Sequence, residues 1–166
     1  MRLVREKIFR KVEESLEGID EARPTLGDEV KLSAVRHMLA SMVVTLGRGS
    51  GSTFYRAGFD IGIYKAERHG VKGLEEALRY IHDSLKRTRL GLVEEAEARE
   101  DGSIEIVMTE SATAAGYSVN EKLCYFQAGY MAGVLRAATG DRWQVREVEC
   151  VAEGHDACRF IAQRRG

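Results

Sequence analysis

The sequence predicts an α+β domain: N-terminal helices followed by a β-β-α-β-β run, giving a four-stranded antiparallel sheet with helices packed on one side. Three observations carry that expectation. Apolar residues recur at helical spacing through the first half of the chain. Two alternating segments, LVEEAEARED and SIEIVMTES, flank Asp101 and Gly102, a strong short-range hairpin signal. A second pair of β-type segments, RWQVREVECVAEG and ACRFIAQ, follows an apolar helix rich in small residues.

Taken in order, MRLVREKIFRK carries five Arg and Lys in its first eleven residues, with Leu3, Val4, Ile8, Phe9 and Val12 near helical spacing. This is the pattern of a basic amphipathic helix, docked on its own domain or on a second subunit in preference to a membrane. Pro24, Gly27 and Asp28 mark a loop. Val30 and Leu32 then open a short strand or extended entry into a helix carrying Val35, Met38, Leu39 and Met42. GRGSGS reads as a break. The helix after it places Phe54, Ala57, Ile61 and Tyr64 on one core face, and small Ala57, Gly58 and Gly62 permit close approach to a neighbour. The glycines of GRGSGSTFYRAG match neither the Walker spacing nor a strand-led dinucleotide turn. The cleanest helix is GLEEALRYIHDSLKRTRLG, where Leu74, Ala77, Leu78, Ile81 and Leu85 form the stripe and His82 falls beside it. After the first hairpin, Ser118 or Asn120 is the candidate N-cap of a helix ending at Gly140, with Ala128, Gly129, Ala132 and Gly133 set among Tyr125, Phe126, Tyr130, Met131 and Leu135. That composition suits a helix packed closely on a sheet or lining a pocket.

At 166 residues the chain is long enough to bury about two-thirds of its unfolded surface without metal or disulfides. Charged residues make up 31% and nearly cancel, 25 basic against 26 acidic, which excludes a field aimed at nucleic acid. Three cysteines cannot form a complete disulfide framework, and no segment resembles a secretory signal or an apolar membrane span, so the expected compartment is the reducing cytoplasm.

Those cysteines define the candidate site. Cys150 and Cys158 flank Glu153, Gly154, His155 and Asp156, a turn-forming run that brings the two thiols together, and packing alone must add Cys124. Glu147 is the candidate fourth ligand, and three sulfurs with one carboxylate give zinc a closed, structural shell. His155 is the substitute. The competing reading is that buried cysteines serve as small apolar filler, and the spacing lacks paired C-x-x-C knuckles. Glu147 and Cys150 also lie an odd number of positions apart, so on a regular strand they face opposite ways; joint ligation demands a bulge or a strand end between them.

The stretch from AERHG to RFIA resembles the V4R (4-vinyl reductase) domain family, on ECVAEGHDACRF and the aromatic, glycine-rich CYFQAGYMAGVL before it. The resemblance implies a single V4R-like domain over 1–166, its best-matching core at 70–163 and the helix of 1–22 available for dimerisation. Phenol-sensing members hold zinc through a helix Cys, a strand Glu and two hairpin Cys, which correspond here to Cys124, Glu147, Cys150 and Cys158. The related transport-particle (TRAPP) subunits imply a homodimer and a hydrophobic channel. A pocket between helices and sheet would draw on Phe54, Tyr55, Phe59, Tyr117, Tyr125, Phe126 and Trp143 for a small apolar or aromatic ligand, although each of these also serves as ordinary core. The implied function is a homodimeric hydrocarbon- or aromatic-binding sensor domain with a structural zinc and no membrane insertion. The alternatives are an accessory protein or enzyme of tetrapyrrole vinyl reduction, for which no dinucleotide, flavin or Fe–S pattern is present, and a dimeric scaffold or adaptor without ligand.

Overall fold

The computed structural model describes residues 2–19 and 22–165, with residues 2–5 described by backbone alone. Leu3 and Val4 of the basic helix therefore lie outside the described side chains. The chain divides into two compact units, 1–48 and 49–166.

The first unit holds α1 (Arg2–Glu14) and α2 (Leu32–Leu46). Their connection is fastened by Asp28, whose carboxylate accepts the Ala22 and Arg23 N–H groups at 3.0 and 3.1 Å. Val30 belongs to no strand. It enters α2 through extended Lys31, and Leu32 is already the first helical residue. No residue of α2 is buried, although most of that helix is apolar.

The second unit begins with α3 (Ser50–Arg68) after a 3-10 turn at Gly47–Gly49. The expected break is thus shorter than GRGSGS, because Ser50 and Gly51 are helical. The buried face of α3 also differs from the expectation: Gly58, Gly62 and Ala66 are buried, while Ala57 is exposed. The reason is α5 (Tyr125–Thr139), whose Gly129 and Gly133 interleave with Gly58 and Gly62. A Cβ on Gly58 would overlap the Phe126 carbonyl, and one on Gly129 the Tyr55 carbonyl. The two backbones touch, so the closest face is set by the absence of side chains and not by the largest apolar ones.

Helix α4 (Leu74–Arg87) buries Ala77, Ile81 and Leu85 along the expected stripe, and His82 is exposed beside Asp83. The sheet comprises β1 (Leu92–Ala98), β2 (Ile104–Thr109), β3 (Arg142–Glu149) and β4 (Cys158–Arg165) in the order β1-β2-β4-β3, all antiparallel. The first hairpin turns at Asp101-Gly102 as expected: Gly102 takes φ 77°, its N–H donates to Arg99, and the Asp101 carboxylate accepts the Ser103 N–H at 2.9 Å. One sheet face packs on the helices through Ile104, Ile106, Met108, Val145, Phe160 and Ala162. On the other face Arg99, Glu105, Arg159 and Glu149 form a chain of ion pairs at 2.8–3.3 Å. Helix α5 is buried from Gln127 to Leu135.

Candidate metal centre

Three backbone devices bring the site together. Cys158 opens β4 opposite Met108. Cys150 follows the last residue of β3 and precedes a 3-10 turn at Val151–Glu153. Between Glu147 and Glu149 the β3–β4 register slips, leaving Val148 as the extra residue. This bulge and the strand end right after it are the irregularity that joint use of Glu147 and Cys150 demands.

Cys124 is the residue before the first turn of α5, and neither Ser118 nor Asn120 caps that helix. Its N–H instead donates to Glu147 Oε2 at 2.9 Å. A carboxylate from the strand does the work expected of a local cap, and it sits where the helix dipole favours negative charge.

All three cysteines are fully buried. Cys124 Sγ lies 3.6 Å from Cys158 Sγ, which lies 3.9 Å from Cys150 Sγ. The candidate ligand atoms of Cys124, Glu147, Cys150 and Cys158 all fall within 4.8 Å of one another. His155 is exposed and outside the group.

The electrostatics show four acids with too few counter-charges. Burial pushes the Glu147 carboxyl up to about 7. Hydrogen bonding with Cys150 and Cys158, then burial and the neighbouring Glu147 charge, push the Cys124 thiol up. The Cys150 thiol is lowered to about 5, chiefly by the bond from Cys124, with the Ala152 and Leu123 N–H groups and Glu147 assisting against burial. Glu147 Oε1 is buried and has no hydrogen-bond partner. A carboxylate beside three thiols, with one of its oxygens orphaned, fits a soft divalent cation: deprotonated sulfur and one oxygen are the donor set zinc takes in a closed shell. The four residues can hold a metal, and what a metal would supply there is a brace between the α5 start and the β3–β4 connection.

Sequence reasoning did not single out the surroundings of this cluster. Lys122 Nζ bonds both Glu153 oxygens at 2.7 and 2.9 Å, clasping the two ligand-bearing segments together. The Val119 and Asn120 N–H groups both donate to the Ala152 carbonyl at 3.0 Å, joining the same segments. Ser111 Oγ lies 3.2 Å from Cys124 Sγ. These residues lie near the cysteines in sequence or far from them, but no spacing rule pairs them with one another, so the signal of the contacts is tertiary alone.

The proposed ligand-facing aromatics differ in burial. Trp143 is buried, and its Nε1 donates to Thr139 Oγ1 at 2.9 Å. The Tyr55 hydroxyl accepts the Val145 N–H of edge strand β3 at 3.3 Å, and burial raises its pKa. Phe54, Phe59 and Phe126 are half-buried, whereas Tyr117 and Tyr125 are exposed.

Known proteins share these features in part. Residues 104–164 match the V4R domain. An uncharacterized protein of Methanocaldococcus jannaschii is 25% identical over 166 residues, covering 98% of this chain and 94% of that protein. The phenol-responsive sensory domain of the transcription activator PoxR, solved with phenol, superposes with TM-score 0.64 and 21% identity over 81% of this chain and 75% of that one. A vinyl-4-reductase family protein from Methanocaldococcus jannaschii gives 0.62 and 21% over 96% of both chains. Trafficking protein particle complex subunit 3 from Naegleria fowleri, covalently bound to palmitic acid, gives 0.54 and 13% over 99% and 95%. At these identities the solved structures share the fold. The matched segment runs from β2 through α5 to β4, so the part of the chain that carries the candidate ligands is the part that is similar to the V4R domain.

Proposed function

We propose that this protein is a small-molecule-binding sensor domain, acting as a homodimer, in which a structural zinc at Cys124, Glu147, Cys150 and Cys158 braces the closing hairpin against the start of α5. The observation that carries the reading is the buried cluster itself: three thiols and a carboxylate whose Oε1 has no protein partner. In an ordinary core such a group costs free energy, and a metal removes the cost. The sensory role is supported by the shared fold of the PoxR domain with phenol. Ligand contacts are assigned to Phe54, Tyr55, Phe59, Phe126 and Trp143, which lie in or against the packed interior, with Tyr117 and Tyr125 on the exposed side. The ligand would be a small apolar or aromatic molecule and the compartment the cytoplasm. No helix among the described residues is long and apolar enough to cross a membrane.

Metal content by plasma mass spectrometry, on protein purified without chelator or metal-affinity tag, tests the site. About one zinc per chain is expected in wild type, with loss in both Cys124→Ser and Cys158→Ser; a folded, metal-free wild type would sink it. A thermal-shift screen of phenols and short hydrocarbons tests the sensor role, because a ligand that binds only the native state raises the midpoint by mass action. Absence of any shift across that screen removes its support.

A further inference from the structure

We propose that Ser111 is a positioning residue of the metal centre, donating its hydroxyl proton to the Cys124 sulfur and so fixing the direction of a buried hydrogen-bond chain that runs to the backbone of Leu90. The proposal rests on the reading of the four-residue cluster as a metal site.

Ser111 lies two residues after the end of β2, is 1% exposed, and reaches Cys124 Sγ at 3.2 Å and Thr113 Oγ1 at 3.1 Å. Behind it lies Gln127 of α5, fully buried. The Gln127 amide nitrogen is within reach of Thr113 Oγ1 at 3.1 Å, the Leu90 carbonyl at 3.3 Å and Ser111 Oγ at 3.4 Å. Its carbonyl oxygen accepts from the Thr113 hydroxyl at 3.3 Å. The chain therefore spans the α4–β1 junction, the segment after β2, helix α5 and one metal-ligand sulfur.

Proton bookkeeping sets its direction. The Gln127 amide has two hydrogens, and Ser111 and Thr113 have one each. A free Cys124 thiol can itself donate, to Ser111 or to the neighbouring sulfurs, which leaves the Ser111 proton free to turn toward Thr113. A metal-bound thiolate only accepts. Once Cys124 is coordinated, the Ser111 proton belongs on sulfur and the Thr113 proton on Gln127 Oε1, while the amide hydrogens serve two of the Leu90, Thr113 and Ser111 oxygens. The Ser111 end of the chain then points toward the metal, while at the other end the Leu90 carbonyl accepts from the Gln127 amide. Three thiolates and a carboxylate around a divalent ion carry net charge −2, so a hydroxyl aimed at one sulfur withdraws part of an excess that burial makes costly, and it holds that sulfur in its ligating orientation.

Cobalt(II) titration of metal-free wild type, Ser111→Ala and Ser111→Thr, with zinc competition, separates the possibilities. Wild type should show thiolate-to-cobalt charge-transfer bands. Ser111→Ala should bind cobalt about tenfold or more weakly with those bands displaced, and Ser111→Thr, which keeps a hydroxyl, should return most of both. Wild type that takes up no cobalt overturns the metal reading. Wild type that binds, with Ser111→Ala matching it in affinity and spectrum, overturns the positioning role alone. Should Ser111→Ala fail to fold, the cadmium-loaded wild type decides: a slowly exchanging Ser111 hydroxyl proton coupled to the cadmium nucleus is expected, and a freely exchanging one overturns the assignment.

Discussion

The two oxygens of Glu147 differ: one accepts the Cys124 N–H and the other is buried without a hydrogen-bond partner. That burial has a pH signature in the metal-free protein. Burial raises the carboxyl to about 7 from an ordinary 4.5, so between these values the unfolded chain binds fewer protons than the folded one and stability falls as pH rises. Cys150 runs the other way, lowered to about 5 from 9, and gains stability across its own window. Comparison with Glu147→Gln, a mimic of the protonated carboxyl, isolates the first effect. Metal-free Glu147→Gln should become progressively more stable relative to wild type from pH 4.5 to 7 and level off above, as followed by thermal unfolding. Saturating zinc should reverse the order, because the variant lacks a ligand. A pH-independent difference between the metal-free proteins would contradict the burial argument. The members of the candidate cluster were legible in the sequence because cysteines beside turn residues announce themselves, and the need for a bulge or a strand end between Glu147 and Cys150 followed from strand geometry. The contacts of Ser111 and the Lys122–Glu153 pair were not legible: Ser111 meets Cys124 across 13 residues of chain and Lys122 meets Glu153 across 31, through packing alone.

Between elements, the α3–α5 contact has the least tolerance in the molecule. Four glycines, two from each helix, let backbone meet backbone, and an added Cβ at any of them falls on a carbonyl oxygen that cannot rotate away. Gly129→Ala and Gly133→Ala should each cost about 3 kcal/mol or more, since relief requires the helices to separate and the layer over the sheet to repack. Gly154→Ala, at a turn with open space but φ 98°, should cost less through backbone strain alone. Chemical denaturation of the metal-free proteins checks this ranking, and equal stabilities for Gly129→Ala and wild type would contradict the close approach. Periodicity identified both helices and the small-residue stripe. It misplaced the buried face of α3 because a hydrophobicity pattern seeks the largest apolar side chains, whereas here the tightest packing is made where side chains are missing. The N-cap of α5 was misread for a related reason: local rules look for Ser or Asn nearby, and the acceptor is supplied by β3.

At the scale of the whole molecule, the first unit carries an imbalance that one chain does not resolve. In α2, Met38, Met42, Val43, Val44 and Leu46 are exposed, and Val44 is 85% exposed. Ile8, Val12, Leu16 and Ile19 are exposed in and after α1. Single apolar residues on a surface need no explanation, but so many on one short unit mark a contact surface. These side chains together leave on the order of 1,000 Å² of apolar surface exposed, an amount comparable with the roughly 800 Å² per partner of a stable interface. A second copy of the chain supplies the same surface by symmetry, which is the economical way to cover it and matches the homodimer proposed above. Sedimentation analysis should therefore find a dimer at micromolar concentration. The double variant Met38→Glu/Val44→Glu should shift it to monomer while leaving metal content unchanged, because the four candidate ligands all lie in the second unit. A monomeric wild type would remove the second copy as occupant of this face. A variant that loses metal together with its dimeric state would show instead that the site depends on assembly.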